Sequence, residues 1–362
     1  MIYRNTSKIS GVILTKDSVN VVAERIANLQ ELCSEVVVID TGSKDGTQEA
    51  ARRAGARVVE FTWVEDFSAA RNFAHEQVRG DWVFFLDTDW ELKNLGDLQT
   101  LDLHSYDEIR LEWVNQWDAD QKLSVQPRTL LYRSSQYAWR GRMHEYLEYT
   151  SPGQPRIGAS TAEVWHHWTP DSAKELEYTR LLRLDLAEIG AGEVRTRTLM
   201  FLAQSLSTRG EWAGIVELLM SELAELRGRH SVEVFEYLAV ALMKTGQARD
   251  QAGVIEPKLT AMVDPRGRLI LGDLYVGFAP ETAAKHYLGY LDDPAPEPVA
   301  RRNWERYRVY PYIMLGNLSM QANPTVAAEF FALAAAQTRL TQKKLQLEGL
   351  VANLRQTENS PK

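Results

Sequence analysis

One cysteine in 362 residues, Cys33, leaves no partner for an internal disulfide and fits a reducing, cytoplasmic compartment. Set in "LQELCSEVVVID", it reads as a buried structural thiol rather than a nucleophile. No run of about 20 apolar residues occurs, so no membrane insertion is expected. The opening "MIYRNTSKIS" lacks the apolar stretch of a secretory leader. Dense Lys/Arg blocks are missing too, and the net charge is −8, which counts against a protein that draws its affinity from a nucleic-acid backbone. Two phosphate-binding signatures are also absent: no glycine run leads into Gly-Lys-Ser/Thr, and no GxGxxG follows a strand. What is present is the balance of a globular protein, 44% hydrophobic and 25% charged, with length for two domains at roughly 150 residues each.

The two halves follow different patterns. In the first, "KISGVILT", "EVVVID", "RVVEF" and "WVFFLD" read as strands. "VNVVAERIANLQEL", "TQEAARRAGA" (closed by Gly55) and "FSAARNFAHEQV" between them carry helical spacing. Such alternation predicts a parallel sheet covered on both faces, with ligands beyond the carboxyl ends of its strands. From Tyr106 to Trp168 shorter aromatic-rich segments predict further, partly antiparallel strands. After Thr169 the pattern is helical. Gly210 and Gly246, 36 residues apart, close similar leucine-rich stretches, and helix–turn–helix units repeating at about 34 residues are the mark of tetratricopeptide-like arrays. The expected organisation is therefore an α/β domain over residues 1–168, helical repeats over 169–355 and an unstructured tail over 356–362. "DDPAPEPVARRNWERYRVY" is expected to interrupt the repeats as a proline-rich loop or insert.

Three clusters could carry chemistry. "DWVFFLDTDWEL" follows a buried strand with Asp87 and Asp89, which share a face if the strand continues. A divalent cation between them would relieve their repulsion; a polar turn is the simpler alternative. "VIDTGSKDGT" ends a strand at Asp40 and offers Ser43, Asp45 and Thr47 as caps for the next helix. A well-formed strand–turn–helix connection needs little more than that. "RGRMHEYLEY" sets His144 beside Glu145, and "VWHHWTP" supplies His166 and His167. Glu145 reads either as a general base or as the partner of Arg140 or Arg142.

In order, "VILTKDS", "VIDTGSKDGT", "DFSAARNFA" and "FFLDTD" resemble family 2 glycosyltransferases of the GT-A fold, through about residues 8–92 and more loosely to Trp168. The helical half resembles the subgroup in which that domain precedes tetratricopeptide-like repeats. The resemblance implies a nucleotide-sugar donor, most often UDP-linked, held near Thr15 and Asp17. It makes Asp40 the carboxylate that recognises uracil or ribose, with Asp45 in the same turn. Arg71 and Asn72 would line the pyrophosphate and sugar. Asp87 and Asp89 would be the DxD pair holding Mn²⁺ or Mg²⁺, with His166 completing the metal shell. Glu145 would be the base. Trp90 stands where the family more often has an acidic residue, and either stacks on a sugar or packs.

The activity implied is inverting transfer of a sugar to a protein or peptide acceptor, with a homodimer suggested by the related architecture. A glycan or modified nucleobase is the alternative acceptor. Two other classes stay open: a repeat scaffold with a degenerate GT-A domain, and a nucleotidyltransferase, which the lack of a glycine-rich basic loop near the first strand disfavours.

Overall fold

The computed structural model describes residues 8–118, 121–167, 172–297 and 303–358. The chain divides into two compact units, Met1–Asp185 and Leu186–Lys362. The first is α/β and the second all-α, as expected.

In the first unit, strands β1 (Ile9–Thr15), β2 (Glu35–Asp40), β3 (Arg57–Glu60) and β4 (Trp82–Phe85) alternate with helices α1 (Val22–Gln30), α2 (Thr47–Arg53) and α3 (Phe67–Gln77). Further along come β5 (Trp90–Asn94), β6 (Glu108–Asp118), β7 (Gln121–Arg133), β8 (Tyr137–Arg140), β9 (Tyr146–Tyr149) and β10 (Ile157–His167). The main sheet runs β3-β2-β1-β4-β7-β6-β10-β5, and β8 pairs with β9 alone. The first four strands of that order are parallel. β7 is antiparallel to both its neighbours, β10 is parallel to β6, and β5 closes the edge antiparallel to β10.

The parallel strands are continuously apolar because both faces are covered. Ile13, Val38, Trp82 and Phe84 join one buried layer with Ile26 and Leu29 of α1. Val12, Val37, Val83 and Phe85 join the other with Ala74, Tyr132 and Tyr137. Such burial is worth roughly 1.5–3 kcal/mol per large side chain and fixes where the strand ends lie. Cys33 packs into the first layer, where burial pushes its thiol up, as a structural role requires. Helix α4 (Ser172–Glu188) follows β10, with its first three side chains and residues 168–171 outside the described set.

The second unit stacks helices α5 (Glu193–Thr208), α6 (Trp212–Glu222), α7 (Ser231–Lys244), α8 (Ala248–Thr260), α9 (Arg266–Tyr275), α10 (Pro280–Asp292), α11 (Tyr310–Ser319), α12 (Pro324–Gln337) and α13 (Thr341–Glu358). α5 packs on α6 and on α7, and α7 packs on α8 and on α9, so leading helices of successive hairpins meet. That is the arrangement of tetratricopeptide-like repeats. The spacing signal has a physical basis: Gly210 and Gly246 both turn left-handed (φ 71° and 73°). After each, the next amide reaches back five residues, Glu211 to Leu206 and Gln247 to Leu242, the Schellman closure. A second recurring device is close approach. A Cβ on Gly272 would lie 2.6 Å from the Tyr287 ring, and one on Gly316 2.7 Å from the Phe331 ring.

Two expectations need correction. The proline-rich stretch is not loop throughout: Glu305–Val309 form a π-turn leading into α11, since no breaker intervenes before Pro311, which falls in the first turn of α11 where proline is tolerated. Residues 298–302 of that stretch lie outside the described set. The helix expected to end before residue 356 runs to Glu358, and residues 359–362 of the tail are not described.

Candidate active site

At the carboxyl ends of β1 and β2, Thr15 and Asp40 are register partners. Asp40 Oδ1 accepts from the Gly42 and Ser43 amides (3.1 and 3.0 Å) and from Gln48 Nε2 (2.9 Å). Burial raises its pKa, but the Ser43 hydroxyl together with these bonds outweighs it and holds the carboxyl below its usual range. Its other oxygen, Oδ2, is buried without a partner, and so is Thr15 Oγ1. Buried polar atoms are normally bonded, so this pair leaves one donor and one acceptor site open at the end of the two strands.

Asp17 and Asp45, expected at the same end, are spent on the loops. Asp17 Oδ1 accepts from the Lys44 amide (2.7 Å) and its own amide donates to Ser43 Oγ (2.8 Å). Asp45 accepts from the Val19 amide through Oδ2 and from the Thr47 amide through Oδ1, each at 3.0 Å. These bonds lock the loop after β1 onto the loop after β2. They account for the sequence pattern as a brace between the two loops.

The acidic cluster is a turn, not a strand. β4 ends at Phe85, and the Trp90 amide donates to Asp87 O (3.0 Å), so period-two alternation does not apply to Asp87 and Asp89. Arg25 of α1 braces the turn through Nε on Thr88 O (3.2 Å). Asp89 faces His166, with 3.3 Å between Oδ2 and Nε2, while His166 Nδ1 lies 3.1 Å from Asn115 Oδ1. His167, next along β10, turns to Glu91 instead (2.9 Å). Trp90 packs edge-on against Trp113 (4.4 Å between centroids).

Asp87 turns elsewhere. Both its oxygens are gripped by the Arg71 fork (3.1 and 2.7 Å), and Arg71 Nε donates to Glu145 Oε1 (2.5 Å). The guanidinium lies over the Phe85 and Trp139 rings (5.1 and 4.9 Å). Burial raises the Asp87 carboxyl, opposed by Arg71 and reinforced by the charges of Asp89 and Glu145. For Glu145 burial also raises, but Arg71 wins and the carboxyl stays below its usual range. Removing one member of such a buried set costs about 3–5 kcal/mol, because the others are left uncompensated. The alternative pairings for Glu145 give way to Arg71: Arg140 binds Glu148 (2.8 Å), and Arg142 Nε lies 3.7 Å from Asp185 Oδ1. Asn72 is not turned to the cleft. It exchanges both amide bonds with the Trp139 backbone (3.0 and 2.8 Å) and fastens β8 to α3.

The Glu145 loop is anchored from two sides. The Phe67 amide donates to Arg142 O (2.9 Å), Ser68 Oγ donates to Gly141 O, and Asp185 of α4 accepts the Arg142 amide. His144 sits at φ 50°. Sequence reasoning missed Asp185, Asn115, Arg25 and Arg128. The first three act across 43, 51 and 63 residues, separations that no local pattern records. Arg128, opposite Leu111 in the β6–β7 register, lies over Trp113 (4.3 Å) and Trp90 (5.7 Å).

For a divalent metal the fit is with two protein donors, Asp89 Oδ2 and His166 Nε2. Asp87 is occupied by Arg71, and among the described residues no group of three or more His, Cys, Asp or Glu gathers as a cation site. Mg²⁺-like ions are often held by one or two carboxylates, with water and phosphate completing the shell, and this donor set suits that mode.

Residues 10–102 match the family model described as Glycosyl transferase family 2. An uncharacterized glycosyltransferase of Rickettsia prowazekii is 30% identical over 176 residues, 48% of this chain and 56% of that protein. A TPR repeat-containing protein of Synechococcus elongatus is 37% identical over 86 residues, 24% of this chain and 21% of its own length. This chain thus spans between a fifth and just over half of these curated relatives. The solved glucosyl-3-phosphoglycerate synthase from Mycobacterium tuberculosis, in complex with Mn²⁺, uridine-diphosphate and phosphoglyceric acid, is 16% identical over 49% of this chain and 78% of that one. Its TM-score of 0.36 is too low to bear on function. Within the first unit, residues 10–102 are therefore similar to glycosyl transferase family 2.

Proposed function

We propose that the first unit transfers a glycosyl group from a nucleotide-sugar, with a uridine diphosphate sugar as donor and a divalent metal, Mn²⁺ or Mg²⁺, to a protein or peptide acceptor. The observation that carries this reading is the unpartnered pair Thr15 Oγ1 and Asp40 Oδ2, in a sheet whose next strand, β4, leads into the acidic turn. A pyrimidine or ribose edge would satisfy the pair, and the attached diphosphate would extend toward Asp89 and His166. A metal at Asp89 and His166 would offset charge on the departing diphosphate. Arg71 holds Asp87 and Glu145 in place, and Asn72 holds the β8 wall.

Transfer is read as a single displacement. The acceptor's bond to the anomeric carbon forms as the bond from that carbon to the phosphate oxygen breaks. The electron pair leaves with the diphosphate, the acceptor proton passes to Glu145, and the anomeric configuration inverts. Arg71 keeps Glu145 ionised, as a base must be before it takes a proton, and lowers its basicity. Stacked helical hairpins commonly bind extended peptides, which supports a peptide acceptor recruited by the second unit.

Calorimetry of UDP with and without Mn²⁺ tests the reading. Metal-dependent binding is expected, abolished in Asp89→Ala and weakened about tenfold or more in Asp40→Asn, which loses the acceptor oxygen. Glu145→Gln should keep UDP binding and lose transfer. Absence of uridine nucleotide binding under every condition would overturn the uridine assignment and leave a different nucleotide donor to test; failure of those as well would put the scaffold reading in its place.

A further inference from the structure

The guanidinium groups around the cleft are engaged, with one exception. Arg71 holds Asp87 and Glu145; Arg25 holds Glu24 and Thr88 O; Arg140 holds Glu148. Arg133, behind the sheet, donates to Tyr106 O and Leu103 O. Arg128 differs. Among the described residues its side chain makes no hydrogen bond or ion pair, and its contacts are the faces of Trp113 and Trp90. Stacking orients a guanidinium but uses none of its five N–H donors, which remain directed outward in a planar fork.

Its placement adds a second observation. Trp90 follows Asp89 in the acidic turn and the Trp113 ring lies 5.3 Å from the His166 ring, so the aromatic platform under Arg128 borders the Asp89–His166 pair. The charges of Glu145 and Asp87 both act on its guanidinium, as does that of Arg71. Surrounding protein atoms pull the Arg128 pKa down even though the residue as a whole is solvent-exposed. A cation beside the acidic turn, stacked on an aromatic platform and with no anion in hydrogen-bond contact among the described residues, is complementary to a planar or tetrahedral oxyanion.

We propose that Arg128 grips a phosphoryl oxyanion in the site, either the diphosphate of the donor or an anionic group carried by the acceptor. The proposal rests on the donor reading above, and its test separates the two failures.

Uridine, UMP and UDP are titrated with Mn²⁺ into the full chain and into Arg128→Gln, which keeps a polar, planar end group but loses the charge and the fork, and Arg128→Lys, which keeps charge without the fork. Circular dichroism confirms that the variants are folded. If the oxyanion is the donor's, Arg128→Gln loses about ten- to a hundredfold in UDP affinity, the scale of a charge-assisted bond, while uridine affinity is unchanged. Arg128→Lys falls between. If it is the acceptor's, UDP affinity is unchanged, and inorganic phosphate titrated into the UDP- and Mn²⁺-saturated protein binds the wild type but not Arg128→Gln. Equal affinities of wild type and Arg128→Gln in both arms would overturn the proposal. Should the wild type bind no uridine nucleotide, the donor reading falls alone. Pyrophosphate titrated into the free proteins then decides on Arg128 by the same comparison.

Discussion

His75 has no place in the proposed chemistry, yet it lies beneath it. Its Nε2 is 2.9 Å from the Tyr132 hydroxyl, which accepts from Trp139 Nε1 (2.8 Å), and Trp139 lies against Arg71. The Tyr132 hydroxyl thus links the Trp139 indole to the His75 imidazole. Burial lowers the imidazole from 6.5 to about 4, so the folded chain binds fewer protons here than the unfolded one. The stability this contributes is complete above pH 6.5 and drains away as the pH falls toward 4, about 3 kcal/mol in all. At pH 5 about 2 kcal/mol of it should be gone. Urea melts at pH 7.5 and pH 5 should show that extra acid loss in the wild type and not in His75→Gln. Equal losses would mean that His75 is not buried neutral. Among single residues, Asp40 and Asp89 were legible because each closes or follows a recognisable strand. The roles of Arg71 and Arg128 were not, since an arginine in a helix or strand looks the same whether it meets solvent, two carboxylates or an indole face.

At the scale of elements, the glycine turns after α5 and α7 were readable from sequence because a left-handed helix end demands a residue without Cβ. The parallel pairing of β10 with β6 was not readable, because alternation describes a strand but not its neighbour. Nor was the continuation from the π-turn into α11, where prolines upstream suggested a loop. The Gly272–Tyr287 and Gly316–Phe331 contacts were likewise hidden, although the spacing is fifteen residues in both. Each lets a leading helix close onto the ring of its partner. Gly316→Ala should therefore overpack this contact and destabilise the helical unit by about 1–3 kcal/mol, read as a lower denaturation midpoint with an unchanged slope. An unchanged midpoint would show that the Phe331 ring can move aside at no cost.

At the scale of the molecule, each unit has its own buried clusters among the described residues, those of Met1–Asp185 centred on the sheet and others within Leu186–Lys362. The residues assigned to donor and metal lie between Thr15 and His166, inside the first unit. A fragment ending at Glu188 should bind UDP with Mn²⁺ within about threefold of the full chain, as expected of a domain that folds alone. Calorimetry on that fragment checks it, and lost binding in a folded fragment would place part of the donor site in the second unit. The recurring glycine-to-ring contacts have a consequence for lineage as well. Because each fixes the fit within its own hairpin, duplication or deletion of a hairpin would leave its neighbours' internal fit intact. The helical unit can thus lengthen or shorten over generations in whole steps, altering its reach without disturbing the sheet that would perform the transfer.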